Sequence, residues 1–214
     1  MGKLVAIEGI DRTGKSTQLE RIASIARERG LSVAVTAYPV RVGTATGPLI
    51  DRFLHGELSL VVDPAADPAG QAFAGQVLFS LNRREAAGAL RALLATHDLV
   101  LTGRYALSAR AYAIATGVPA GAIARLHRDL ESDLPVPDAT LVLDADPELL
   151  ARRERPGQLD AFDADLELQE RVRDAYAILA VAERNVALVD AAGEPDAVTE
   201  RLTCALQAAE IIPR

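Results

Sequence analysis

Short apolar runs alternate with longer amphipathic segments along the chain. The run 3–8 (KLVAIE) is short, apolar and rich in β-branched residues, which is typical of a buried parallel strand. From Lys15 to about Arg29 the apolar residues repeat at helical spacing, and Gly30 follows as a stop signal. Similar apolar runs predict four further strands, at 31–39, 98–103, 139–146 and 185–191.

Helices are predicted between these strands. The longest covers about Gln71 to Thr96, after a loop at 63–70 that is rich in Asp, Pro and Gly. A Pro-Gly break at 156–157 interrupts a helical region and is a candidate mobile lid, at about 153–165. The other predicted helical segments are 48–56, 106–116, 119–132, one that starts at 147, one that ends before 185, and 195–211. Strands that alternate with helices imply a five-stranded parallel sheet with helices on both faces.

Composition narrows the classes of function. The 214 residues are enough for one α/β domain, so we expect a single domain over 1–214. A formal net charge of -7 argues against broad binding of nucleic acid or of an anionic membrane surface. The single cysteine, Cys204, allows no intramolecular disulfide, and the three histidines lack the short spacings of zinc sites. With no signal peptide and no apolar segment of membrane-spanning length, we expect a cytoplasmic location.

The first loop carries the strongest chemical signal. Gly9 to Ser16 fits the pattern GxxxxGK[ST], directly after the first strand and directly before the first helix. Backbone N–H groups of such a loop surround a β-phosphate, the lysine reaches the transferable phosphate, and the serine hydroxyl binds Mg²⁺. We therefore predict a P-loop NTPase fold with three α/β/α layers, which binds ATP with Mg²⁺ through Gly9, Ile10, Asp11, Arg12, Thr13, Gly14, Lys15, Ser16 and Thr17.

The loop identifies a nucleoside triphosphate site but not a reaction. The chain has no Asn-Lys-x-Asp motif of the kind that GTPases use to recognise guanine. The segment 141–146 (LVLDAD) is a weak match to the Asp-ending strand of hydrolytic ATPases, and it could equally be a plain core strand. The length fits a small-molecule kinase best.

Three further stretches, taken with EGIDRTGKST at 8–17, give the chain a family resemblance. They are YPVR at 38–41, VLFSLNRRE at 77–85 and GRYALSARAY at 103–112. In this order and spacing the chain resembles thymidylate kinases, which transfer the γ-phosphoryl group of ATP to dTMP. The resemblance implies ATP and a deoxynucleoside monophosphate as substrates and a homodimer formed through helices.

The resemblance also implies roles in the donor part of the site. Asp11 would accept a hydrogen bond from a sugar hydroxyl of the acceptor, and Arg12 would act with Lys15 on the transferred group as an arginine finger. An ion pair between Asp11 and Arg12 is the plainer alternative. Because 157–167 contains no Lys or Arg, the chain resembles the family members that carry this arginine in the loop. Arg153 would lie over the adenine or reach the phosphates.

For the acceptor, the resemblance implies a second set of side chains. Arg83 would donate to a base carbonyl while the base stacks on Phe79, although periodicity alone makes Phe79 an equally good core residue. Arg104 and Arg41 would hold the acceptor phosphate, because a guanidinium offers it a planar pair of donors. Tyr38 and Tyr112 would line the sugar, where Tyr112 would crowd a ribose 2′-hydroxyl and favour deoxyribose, and Ser108 would contribute a hydrogen bond.

Two positions depart from the family pattern. Gly103 stands where the family has an Asp that helps to hold Mg²⁺, so the metal would rest on Ser16, ATP oxygens, water, and Glu8 through water. Ala109 and Arg110 stand where many members have a polar base contact. These departures leave two alternatives to a dTMP kinase, namely a kinase for another or modified pyrimidine monophosphate and a nucleotide-binding protein with low turnover.

Overall fold

The computed structural model describes residues 1–151 and 165–214, and its centre is a five-stranded parallel sheet. The strand order is β2-β3-β1-β4-β5, so the strand that precedes the glycine loop lies in the middle. The strands are β1 (Lys3–Gly9), β2 (Val33–Ala37), β3 (Leu99–Gly103), β4 (Ala139–Asp144) and β5 (Val186–Asp190). The predicted number of strands and their parallel arrangement are confirmed.

Helices cover both faces of this sheet. Within the described ranges they are α1 (Lys15–Glu28), α2 (Gly47–Leu54), α3 (Pro68–Thr96), α4 (Ala106–Ala115), α5 (Ala120–Glu131), α6 (Pro147–Ala151), α7 (Leu166–Ala182) and α8 (Pro195–Ala208). α3 begins three residues before the predicted start. Its first turn is stabilised by the Asp67 carboxylate, which accepts a hydrogen bond from the backbone N–H of Gly70 at 2.8 Å.

Alternate residues of β1 face opposite layers of helices, which explains why this strand is apolar throughout. Leu4 and Ala6 belong to a cluster with α3, whereas Val5 and Ile7 belong to the larger cluster that includes α1. All four side chains are buried. A strand covered on both faces needs apolar residues at every position, in contrast to the alternating pattern of a half-exposed strand.

The carboxyl ends of the three strands β1, β2 and β3 meet at one edge of the sheet. Ile7 pairs with Gly103, and Ala37 pairs with the same glycine from the other side. In open α/β sheets ligands bind at this edge. The strand order therefore brings the loop after β1, the segment after β2 and the segment after β3 to one place.

Arg153 and the predicted lid, apart from its last residue, fall on 152–164 and so lie outside the described residues. Over the ranges that the structure does describe, no helix combines the length and the apolar character that crossing a membrane requires.

Candidate active site

A cleft of about 1330 Å³ follows the carboxyl edge of the sheet. Its walls come from the loop after β1, the segment after β2, and helices α2, α3 and α4. Fourteen of the residues predicted for the site line it: Asp11, Arg12, Thr13, Gly14, Lys15, Ser16, Thr17, Tyr38, Arg41, Phe79, Arg83, Arg104, Ser108 and Tyr112. The fold thus brings the predicted donor and acceptor residues into one continuous space.

The glycine loop has the geometry that its sequence predicts. Gly9 has a φ of 131°, and a Cβ atom there would lie 2.6 Å from the backbone oxygen of Leu143, so only glycine fits. The Lys15 ammonium donates hydrogen bonds to the carbonyl oxygens of Gly9, at 3.1 Å, and Ile10, at 2.6 Å. The loop therefore curls around a cationic group at the N-terminus of α1, where helix geometry also favours an anion.

Arg12 and Arg104 share an uncommon backbone conformation. Their φ angles are 64° and 59°, in the left-handed region that side chains other than glycine seldom adopt. Such conformations cost on the order of 1–3 kcal/mol each and cluster at ligand sites. The Arg104 backbone is held by its N–H, which donates to the Ile7 carbonyl at 2.9 Å.

Asp11 is the centre of a charged cluster between the glycine loop and α4. Its carboxylate accepts hydrogen bonds from the Arg104 guanidinium and, at 3.1 Å, from the Tyr112 hydroxyl, and it lies 3.9 Å from the Lys15 ammonium. The Arg104 guanidinium also lies 5.6 Å from the centre of the Tyr112 ring. Burial opposes the charge of Arg104, but the acidic groups around it, with Asp11 first among them, together outweigh burial and hold the pKa of the guanidinium well above its usual value. For Tyr112 burial raises the pKa of the phenol, so its hydroxyl stays protonated and can donate to Asp11.

Gln169 of α7 also belongs to this cluster, although it was not among the predicted site residues. Its buried amide oxygen accepts from the Asp11 backbone N–H at 3.1 Å, and its amide nitrogen lies 3.4 Å from the Asp11 carboxylate. The two residues are 158 positions apart, and no local motif marks Gln169. Only the folded chain links them.

Glu8 has a structural role that differs from its predicted contact with a metal through water. The side chain is fully buried, and its carboxylate accepts from the backbone N–H groups of Tyr105, at 2.7 Å, and Ser108, at 3.3 Å. It also accepts from the Ser108 hydroxyl and, at 3.1 Å, from the Tyr176 hydroxyl. A carboxylate at these N–H groups caps the first turn of α4. These four bonds argue against the water-mediated metal contact, and they also engage the hydroxyl of Ser108.

The predicted base-binding side chains lie on α3. Arg83 is 4% exposed and pairs with the buried Glu131 of α5, through Nε at 3.2 Å and Nη2 at 2.5 Å, while Nη1 forms no hydrogen bond with a described residue. Burial raises the pKa of the Glu131 carboxyl group, but the charge of Arg83, together with hydrogen bonds from Arg83 and Ser80, outweighs burial and lowers this pKa below its usual value. The Phe79 ring packs edge-on against Phe53 with the ring centres 6.2 Å apart. Phe79 therefore belongs to an apolar cluster and lines the cleft at the same time.

The segment after β2 is held in place by two polar residues of α3. The Asn82 amide accepts from the Val40 N–H at 2.7 Å and donates to the Val40 carbonyl at 2.8 Å. The Glu85 carboxylate accepts from the Thr46 N–H at 3.2 Å. Arg41 lies between these anchors, and its guanidinium pairs with Asp51 of α2. The predicted acceptor-phosphate residue is thus at the cleft with a carboxylate partner.

Tyr38, which was predicted to line the sugar, is largely buried in the core. It is 7% exposed, and its ring lies edge-on to Tyr105 with the centres 5.1 Å apart. Burial raises the pKa of its phenol to about 12. The peptide bond between Tyr38 and Pro39 is cis.

The structure shows where the three residues that depart from the family pattern lie. Gly103 ends β3, and Ala109 is a buried residue of α4 that lines the cleft. Arg110 lies outside the lining of this cleft and pairs with Glu183. Ser16 is exposed at the start of α1, and within 1–151 and 165–214 no group of three or more His, Cys, Asp or Glu side chains could hold a metal ion.

Known proteins match this chain over most of its length. The family model described as thymidylate kinase matches residues 7–202. The thymidylate kinase of Mycobacterium tuberculosis is 33% identical over 190 residues, which cover 83% of this chain and 85% of the relative. That of Bifidobacterium longum is 35% identical over 201 residues, which cover 92% and 93%. The solved structure of thymidylate kinase from Candida albicans has a TM-score of 0.79 and 25% identity, and the match covers 98% of this chain and 93% of that one.

Proposed function

The chain belongs to the thymidylate kinase family, and we propose that its cleft holds ATP on the loop between β1 and α1 and dTMP between α2, α3 and α4. The activity is that of the family: the protein is a phosphotransferase that converts ATP and dTMP into ADP and dTDP. One observation supports the arrangement of the two substrates best. The phosphate loop and the predicted acceptor residues line one continuous cleft, and the pair of Asp11 and Arg104 lies between them.

Phosphoryl transfer depends on alignment and on stabilisation of charge between the two substrates. We assign Lys15 and Arg12 to the transferred phosphoryl group, because both lie on the glycine loop and line the cleft. Arg104 and Arg41 hold the phosphate of dTMP. Each has a carboxylate partner that orients the guanidinium until the phosphate arrives.

Asp11 and Tyr112 form the part of the site that meets the sugar. The Asp11 carboxylate accepts from Arg104 and Tyr112 and is placed to accept from a sugar hydroxyl too. The Tyr112 ring, fixed by its hydroxyl and by the guanidinium above it, crowds the position of a ribose 2′-hydroxyl and favours deoxyribose. The base stacks on Phe79, with Arg83 donating from Nη1 to a carbonyl oxygen.

The residues of the site fit a magnesium ion that arrives with the nucleotide. Mg²⁺ prefers oxygen ligands and usually combines few protein ligands with phosphate oxygens and water. Ser16 offers an exposed hydroxyl at the start of α1, and the described residues supply no carboxylate cage that would hold the ion by itself. When bound, the ion would supply positive charge to the phosphate oxygens.

Several finer points stay predictions from the sequence. We propose that 1–214 forms a single kinase domain, that Arg153 contacts ATP, that the protein is a homodimer, and that it is located in the cytoplasm. The activity itself is tested by measuring ADP release with MgATP and a panel of nucleoside monophosphates. dTMP should give the highest kcat/KM. A different preferred acceptor would overturn the proposed substrate, and ATP binding without turnover would overturn the proposed enzyme.

A further inference from the structure

Gln76 of α3 is a buried amide in the acceptor part of the cleft, and no sequence motif marks it. Its side chain is 5% exposed and lines the cleft. Its amide oxygen is buried and has no hydrogen-bond partner among the described residues. Burying an amide without a partner costs roughly 1–3 kcal/mol, so a ligand that bonds to it would recover that free energy.

The position of Gln76 relates it to the two residues assigned to the base. Gln76, Phe79 and Arg83 follow one another at i, i+3 and i+7 along α3, so the three side chains share one face of the helix. Phe79 lies between the other two. A base stacked on the Phe79 ring would therefore have an amide on one side and a guanidinium on the other.

Three neighbouring polar side chains of the cleft are already engaged. The Asn82 amide holds the backbone of Val40, the Ser108 hydroxyl bonds to Glu8, and the Thr116 hydroxyl donates to the Tyr112 carbonyl at 2.7 Å. Ala109, which faces the cleft from α4, has no polar group. Gln76 and the Nη1 group of Arg83 are available to a base at this end. The Tyr105 hydroxyl is also buried without a partner among the described residues, but unlike Gln76 it does not lie on α3 beside Phe79.

We propose that Gln76 is a specificity-determining residue that recognises the N3–H group of the thymine base. This inference rests on the proposed function, because it names the group that selects the acceptor base. A half-turn about the last side-chain bond lets the amide present either its oxygen or its nitrogen to the cleft. With the oxygen presented, it accepts from N3–H while Arg83 donates to the neighbouring carbonyl oxygen.

This pair of contacts discriminates between pyrimidines. Thymine presents an acceptor at position 4 and a donor at N3, which match the donor on Arg83 and the acceptor on Gln76. Cytosine presents an amino group at position 4, which faces the guanidinium donor without a hydrogen bond. A ligand that leaves buried polar groups of the site unpaired binds much more weakly, so the site should discriminate against cytosine.

The test combines a variant with an analogue of the acceptor. We would compare Gln76→Leu with the unaltered protein, using dTMP and N3-methyl-dTMP, which lacks the N3–H group. In the unaltered protein the methyl group should lower kcat/KM by at least roughly tenfold, since a bonding site rejects an analogue that leaves its polar group unpaired. Gln76→Leu should lose roughly tenfold in kcat/KM for dTMP and should no longer distinguish dTMP from N3-methyl-dTMP.

Controls separate recognition from folding. Gln207→Leu makes the same chemical change on α8, away from the cleft, and should leave both constants unchanged. Because Gln76→Leu removes an unpartnered buried amide, its melting temperature should be equal to or above that of the unaltered protein. Equal use of dTMP by Gln76→Leu and the unaltered protein, or undiminished discrimination against the N3-methyl analogue, would overturn the proposal.

Titration calorimetry measures the binding of dTMP and N3-methyl-dTMP without turnover, so it tests the role of Gln76 separately from the proposed function. If the unaltered protein binds dTMP but transfers no phosphoryl group, the proposed function fails. The ratio of the two binding constants, compared between the unaltered protein and Gln76→Leu, still decides whether Gln76 recognises N3–H.

Discussion

Arg104 donates a hydrogen bond to the carboxylate of Asp11, across the 93 residues that separate the ends of β1 and β3. Both side chains are 20% exposed, so the pair is partly screened from water but still faces the cleft. Arg104 also lies over the Tyr112 ring. The residue that we propose for the acceptor phosphate, Arg104, and the one that we propose for the sugar, Asp11, therefore orient each other.

Asp11→Asn should weaken use of the acceptor. The amide removes the negative charge that orients Arg104, so we expect kcat/KM for dTMP to fall roughly 10- to 100-fold, in line with the loss of one partner of a shielded charge pair. Steady-state kinetics at saturating ATP measure this. Asp196→Asn, which alters an exposed pair with Arg21, is the matched control and should have no effect. An Asp11→Asn enzyme of normal kcat/KM would contradict the role of the pair.

Arg12→Lys should act on the chemical step. The variant keeps the positive charge but loses the planar pair of donors, so kcat should fall about a thousandfold, as expected for an arginine finger. The KM values for ATP and dTMP should stay within a few-fold. Arg21→Lys makes the same change on the exposed surface of α1 and should keep full activity. If kcat fell less than tenfold, the proposed contact between Arg12 and the transferred phosphoryl group would be wrong.

Asp51→Asn should make it easier for Arg41 to bind the phosphate of dTMP. Arg41 and Asp51 are 43% and 42% exposed, and such a pair contributes only about 0–1 kcal/mol. Because Arg41 must exchange Asp51 for the acceptor phosphate, removing the carboxylate charge should lower the KM for dTMP by up to about fivefold. kcat should not change. Arg41→Ala should raise the same KM, and a KM raised by both variants would mean that Asp51 positions Arg41 productively.

Glu131→Gln should destabilise the fold at neutral pH, because it leaves the buried Arg83 guanidinium without its counter-charge. We expect a loss of about 3 kcal/mol in the free energy of unfolding. The pKa of Glu131 lies below its usual 4.5 in the folded protein. A lowered pKa contributes stability that is fully present above the unfolded value and is lost as the pH falls through the folded value.

The pH dependence gives this prediction its check. Urea unfolding of Glu131→Gln and of the unaltered protein should differ most above about pH 5, and the difference should shrink as the pH falls further below 4.5. A difference that is independent of pH would show that packing, and not charge, is lost. Arg128 and Asp129 form an exposed pair on the same helix, so Asp129→Asn serves as the control of unchanged stability.

Gly103→Asp should raise the affinity for Mg²⁺ and leave the fold intact. A Cβ atom at this position would lie 2.9 Å from Cδ1 of Leu19 and 3.6 Å from Cβ of Ala37, so only the flexible end of Leu19 has to move. The new carboxylate stands at the carboxyl end of β3 and can reach the metal directly or through water.

Gly103→Asn separates the added charge from the added bulk. Both variants displace Leu19 in the same way, but only the aspartate adds a negative charge. The concentration of Mg²⁺ that gives half-maximal activity should fall for Asp and stay unchanged for Asn. An unchanged magnesium dependence in Gly103→Asp would remove our account of this position.

The sequence predicted those parts of the molecule that local patterns encode. The five strands, α1 and the glycine loop follow from apolar runs, helical spacing and the positions of glycine. The ends of elements were less accurate: β2 is shorter than the run 31–39, and α3 starts earlier because Asp67 caps it. These boundaries depend on strand pairing and on side-chain caps, which a propensity pattern does not contain.

The partners of the site residues could not be predicted in the same way. Glu131 for Arg83, Asp51 for Arg41 and Gln169 for Asp11 come from other elements, and nothing near them in sequence marks the pairing. Glu8 was predicted as a water-mediated metal contact because Gly103 replaces the carboxylate that the family has there. Its buried position at the start of α4 is a property of the strand order and not of the local sequence.

Glu8 joins the strand that leads into the phosphate loop to the first turn of the helix that carries Ser108 and Tyr112. The distance between the two binding surfaces is consequently fixed when the chain folds, before either nucleotide is present. Neither surface then has to be ordered relative to the other when a nucleotide binds. The binding free energy of the two nucleotides can therefore go into aligning the reacting atoms.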